Sequence, residues 1–169
     1  MQAEAKQASE TLGRAQTGTL SVIDFETGGP FGALVNVATC AQGLPLFLFS
    51  KLARHTKCLM ADPRASLLVS ELPKVGDPLT GFRATIVGCL EQSAGQDVRE
   101  RYLAKHPYAE TYVDFGDFGF WRMMPTKVFV VGGFGRIHAF DAAEMFQPAS
   151  NSLGGSFAPV IKATASDIE

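Results

Sequence analysis

No stretch of this 169-residue sequence is apolar for long enough to cross a bilayer. The longest apolar runs, "LPLFLF" and "VFVV", fall far short of the roughly 20 residues a spanning helix needs. Cysteine is scarce as well. Cys40, Cys58 and Cys89 stand far apart at no metal-type spacing, and an odd, scattered set argues against a disulfide framework and for reduced thiols used as core filler. No sign of charge dominates: 15 basic residues face 17 acidic ones, the formal net charge is -2, and no basic block exists. That sets aside general nucleic-acid binding, which needs a cationic face for the phosphate backbone. The opening residues, "MQAEAKQASETLGRAQ", lack the apolar core of a signal peptide. The expected setting is therefore cytoplasmic, with neither membrane nor nucleic acid as partner. Catalytic constellations are missing too. No Ser–His–Asp order or metal-ligand cluster stands out, and "GGFGRI" from Gly132 lacks both the spacing and the following helix of a dinucleotide fingerprint.

What is present is a succession of short apolar segments divided by Gly- and Pro-containing turns. Ala3 to Ala15 predicts a helix, and Thr17 to Phe25, Phe31 to Cys40 and "LPLFLFS" predict three strands. A helix follows from about Leu52 to Ala61, then the strand "ASLLVSEL" and, after a Pro/Gly loop, the alternating strand Phe82 to Gln92. "GQDVRERYLAKHP" predicts an amphipathic helix and "YAETYVDF" a further short one. Two more strands are expected around Pro125. Hydrophobic content of 46% in one chain of this length fits a single core over residues 1–146, with a loosely docked Ser-, Ala- and Gly-rich tail from Gln147. Six or seven antiparallel strands interrupted by about three helices predict a small β-barrel with helices packed outside, rather than an alternating β/α sheet.

The densest chemistry lies where "LPLFLFS" gives way to "KLARHTKCLMADPR". Ser50, Lys51, Arg54, His55 and Thr56 crowd a strand-to-helix corner. One reading is a helix capped by Ser50, with Lys51, Arg54 and Lys57 on its solvated face. The other is an anion site, in which the free N–H groups of a helix N-terminus combine with the Arg54 fork and the Lys51 charge to grip a phosphate. Arg83, on a later strand, is a second cation expected at the same place. Asn36, the polar residue within "ALVNVA", either bonds a ligand edge or faces solvent. Asp114 and Asp117 read as surface or capping acids.

The ordered segments "PFGALVNVA", "QGLPLFLFS", "ARHTKCLMADPR" and "RATIVG" resemble the FMN-binding split barrels related to pyridoxamine 5'-phosphate oxidase. "DPRASLLV", "GDPLTGFRATIVG", "RYLAKHP" and "VGGFGRI" are similar to its haem-utilisation-type branch. The resemblance implies a six- to seven-stranded antiparallel split β-barrel with flanking helices, and a homodimer with FMN as cofactor, bound by Asn36, Ser50, Lys51, Arg54, His55, Thr56 and Arg83. It also implies a substrate contact from Arg136 and His138, the "RIH" triplet. The oxidases carry Arg and Lys where this chain has Ala33 and Ala38, so the implied activity is flavin-dependent redox chemistry other than pyridoxamine phosphate oxidation. The alternatives are a haem-binding protein on the same fold, with His55, His106 or His138 as the axial ligand, and a flavin-binding module without turnover.

Overall fold

The computed structural model describes residues 2–133 and 136–146, so the tail expected from Gln147 lies outside the described residues. Along the chain run α1 (Gln2–Arg14), β1 (Thr17–Ile23), β2 (Pro30–Asn36), β3 (Ala38–Thr39), β4 (Pro45–Ser50) and α2 (Arg54–Ala61). They are followed by β5 (Arg64–Glu71), β6 (Phe82–Ser93), α3 (Gln96–Lys105), β7 (Phe118–Gly132) and β8 (Ile137–Asp141). All strand pairs are antiparallel, in the order β2-β1-β5-β6-β7-β4-β3, and β8 pairs with β7. Among the described residues seven of the eight strands have five residues or more, so the expected split barrel with three flanking helices is the fold that forms.

Period-two burial drives the architecture. Leu20 and Val22 of β1, Leu67 and Val69 of β5, and Ala84 and Ile86 of β6 share one core with Phe47 and Phe49 of β4. Helix α1 joins the same core through Ala5, Ala8 and Leu12, spaced to line one helical face. β4 is buried on both faces, which explains its unbroken apolar run. Leu46 and Leu48 form a second cluster with Val98 and Tyr102 of α3.

The predicted strand Phe31 to Cys40 is divided in the structure. Residues up to Asn36 pair with β1, whereas Ala38 and Thr39 pair with β4 at the far edge of the sheet. One stretch of chain therefore belongs to both edges and closes the barrel. Val37 sits between, fully buried, where neither ladder serves its backbone. Its N–H bonds the Gln16 carbonyl at 3.0 Å, and its carbonyl accepts from Nε2 of His106 at 2.9 Å. The buried carbonyl is thus satisfied, as such groups must be.

The two strands expected around Pro125 are one 15-residue strand, β7, followed by β8. Along β7 the pairing with β4 ends at Arg122↔Leu46 and the pairing with β8 starts at Lys127↔Asp141, so Pro125 falls in the gap where no partner needs its missing N–H. On the other side the register with β6 shifts between Val87 and Gly88, a bulge that places Gly88 opposite Pro125.

Candidate functional site

At the corner, Ser50 does not cap α2. Its carbonyl accepts from Ala53 N–H at 3.1 Å and its hydroxyl accepts from Leu52 N–H at 3.1 Å, which makes a turn before the helix. The hydroxyl also donates to Asp117 Oδ2 at 2.5 Å, so the acid expected on the surface ties the corner to the start of β7. Helix α2 begins two residues later than expected, with Ala53 at the cap and no side chain bonding the first turn. Lys51 is exposed, its Nζ donating to the Gly116 carbonyl at 3.3 Å.

Arg54 opens α2, but its guanidinium is not free for a phosphate. Nε donates to Asp24 Oδ2 at 2.7 Å, and Nη2 donates to Asp24 Oδ1 at 3.1 Å and to Glu26 Oε2 at 2.7 Å. The planar group lies over the Phe25 ring, 5.3 Å from its centroid. Asp24 is buried and also accepts from the Glu26 and Thr27 amides and the Thr27 hydroxyl, so the guanidinium and these donors hold its carboxyl well below the usual range. Sequence reasoning passed over both acids. The signal was "DFETGG", in which an Asp opening a turn after a strand bonds its own backbone two and three residues on.

His55 and Thr56 point inward. The His55 ring meets the Phe49 ring edge-on at 4.6 Å, and Phe49 in turn packs toward Trp121 at 6.5 Å. His55 Nε2 and Thr56 Oγ1 are buried without a hydrogen-bond partner among the described residues. Burial pushes the His55 imidazole below its ordinary value, so it is neutral at pH 7. Phe49, on which this ring packs, lines a cleft of about 100 Å³ together with Lys51, Met60, Gln92, Ser93, Gly119, Phe120 and Trp121; His55 itself stands behind that wall.

The remaining predicted residues lie elsewhere. Arg83 is at the far end of the twelve-residue β6, roughly 30 Å along the strand from the corner end. It donates to the Leu79 carbonyl at 2.8 Å and holds the β5–β6 loop, so within one chain it does not join the corner. Arg136 and His138 are at that same far end, against α1. Arg136 Nε donates to the Gly132 carbonyl at 2.8 Å, and His138 Nε2 faces Glu4 Oε1 at 3.8 Å. Asn36 lies near the Tyr102 and Tyr112 hydroxyls and is not among the residues that line the cleft. His106 is fully buried, with Nε2 on Val37 and Nδ1 accepting from the Tyr108 hydroxyl at 3.1 Å. It is a neutral pin on the Val37 carbonyl.

Residues 1–147 match the family model described as "CREG, beta-barrel". The chain is 44% identical over 109 residues to "Non-canonical heme oxygenase HOZ, chloroplastic" of Arabidopsis thaliana, a match covering 63% of this chain and 33% of that protein. It therefore spans about a third of the length of the curated relative. One solved structure superposes with a TM-score of 0.82 at 34% identity, over 88% of this chain and 98% of its own. The "heme binding protein from Mycobacterium smegmatis" superposes at 0.78 with 29% identity, over 84% of this chain and 59% of that one. The likeness of fold and the match over the described residues agree: the chain belongs to the CREG β-barrel family, a split barrel, and has relatives named as a haem oxygenase and a haem-binding protein.

Proposed function

We propose that the protein handles haem, with the cleft beside α2 as part of its binding surface. The observation that carries this reading is His55. Of the three histidines, His106 has both ring nitrogens engaged and His138 faces Glu4, whereas His55 keeps a neutral ring behind Phe49 of the cleft wall, its Nε2 buried without a partner among the described residues. A neutral imidazole is the protein donor that iron most often takes. Phe49, Met60 and Trp121 supply apolar walls for a macrocycle, and Lys51 supplies a cation for a carboxylate. Bound haem would contribute iron redox and oxygen chemistry; these side chains would orient it and exclude water. The haem-related relatives support the reading.

A cleft of about 100 Å³ holds only part of such a ligand. We assign the remainder to a second copy of the chain. Across the outer sheet face, Leu34, Thr19, Leu68, Thr85, Phe129 and Ala139 form one register row without charge. Leu34 is 76% exposed and Phe129 46%, an apolar strip that suits a homodimer interface.

FMN is the second reading. The uncapped first turn of α2 next to Lys51 favours it, and the engaged guanidinium of Arg54 weighs against it. Titrating haem while following the Soret band decides between them. The parent should give a saturable, shifted band that His55→Ala loses. A parent that leaves the haem spectrum unchanged while quenching FMN fluorescence at one equivalent would overturn the haem reading.

A further inference from the structure

The two carboxylates on Arg54 are not equivalent. Asp24 is built into the β1–β2 turn: its side chain is 6% exposed and it accepts from two backbone amides, a hydroxyl and the guanidinium. Glu26 is 60% exposed and reaches Arg54 Nη2 from outside, at 2.7 Å. Asp24 and Phe25 hold the guanidinium in place, and Glu26 sits on the edge that faces solvent. That edge is the position from which a guanidinium at the first turn of a helix grips an anion by parallel hydrogen bonds. A phosphate there would need the same Nη2 and would meet the Glu26 charge.

We propose that Glu26 is an internal ligand of Arg54 and the specificity-determining residue that keeps phosphate-bearing small molecules, FMN among them, off this corner. The proposal deepens the haem reading, since it rests on a cleft serving a ligand without phosphate. Replacing Glu26 by Gln removes the competing charge while leaving Asp24 and Arg54 as they are. It converts the edge into a phosphate site for the flavin's 5'-phosphate, with no gain for a flavin that lacks one.

The test titrates FMN and riboflavin, by fluorescence quenching at fixed ionic strength, into the parent, Glu26→Gln, Glu26→Ser and the double variant Glu26→Gln/Arg54→Gln. In the parent the two flavins should differ by less than about threefold. Both Glu26 variants should bind FMN more tightly than the parent by about tenfold or more, with riboflavin unmoved, and the double variant should lose that gain. The proposal is overturned by a parent that already prefers FMN strongly, by Glu26 variants that gain nothing, by an equal gain for riboflavin, or by a gain that survives the loss of Arg54. A haem titration of the parent, run alongside, reports on the haem reading independently: an unmoved Soret band sinks that reading and leaves the flavin comparison standing.

Discussion

His106 shows how one side chain can serve a topological need. The break between β2 and β3 leaves the Val37 carbonyl without a ladder partner in a fully buried place, and the imidazole supplies the donor. His106→Phe keeps the volume and the packing on Tyr102 but leaves that carbonyl bare. A loss of about 1–3 kcal/mol is expected in a urea titration at pH 7.5. Its pH dependence follows from burial. His55 and His106 both sit below the ordinary value of 6.5, so on acidification the unfolded chain takes up protons near 6.5 that the folded chain refuses. Stability should be flat above about pH 7 and fall as pH drops below 6.5, and His106→Phe should fall less steeply because one of the two protons is gone. Equal slopes for the two proteins would contradict a neutral, buried His106.

At the scale of elements, the strands were legible because alternation of apolar residues states which face is inside. Their breaks and junctions were less so. Pro125 read as a strand end because a proline denies a ladder bond, yet the bond it denies falls between β4 and β8, where none is required. Opposite it, a Cβ on Gly88 would lie 2.2 Å from the Met124 carbonyl oxygen. That close approach fixes glycine there, and Gly88→Ala should destabilise by roughly 2 kcal/mol or more. Gly13, inside α1 with open space around its Cα, gives the contrasting case. Gly13→Ala should stabilise by about 0.5–1 kcal/mol, because alanine restricts the unfolded chain and suits a helix. Thermal melts of the two variants should move in opposite directions.

For the whole molecule, the corner's location was legible and its wiring was not. Ser50 to Thr56 is a local string of donors and cations, visible in any reading of the chain. The acids that occupy Arg54 lie about 30 residues upstream, and they meet it only because β1 and α2 pack together. Arg83 was expected at the corner because it is a cation on a neighbouring strand, but the position along β6 is set by register, which a single sequence leaves open. The same register lines up the uncharged outer row through Leu68 and Phe129. If that row is the homodimer face, light scattering should give twice the 18.1 kDa chain mass, and Phe129→Glu should shift the assembly toward monomer while leaving the circular dichroism spectrum unchanged. A parent that scatters as a single chain at micromolar concentration would remove the dimer proposal.

Because β2 and β3, one residue apart in the chain, lie on opposite rims, the chain works there like a stitch through both lips of a seam. Relocating the termini therefore has very different consequences from place to place. A circular permutant opened in the exposed loop around Gly76 breaks no strand pairing and should keep a closed barrel. One opened at Val37 would leave the rims joined only by side-chain packing, a sheet free to uncurl and to recruit the loose rim of a neighbouring molecule.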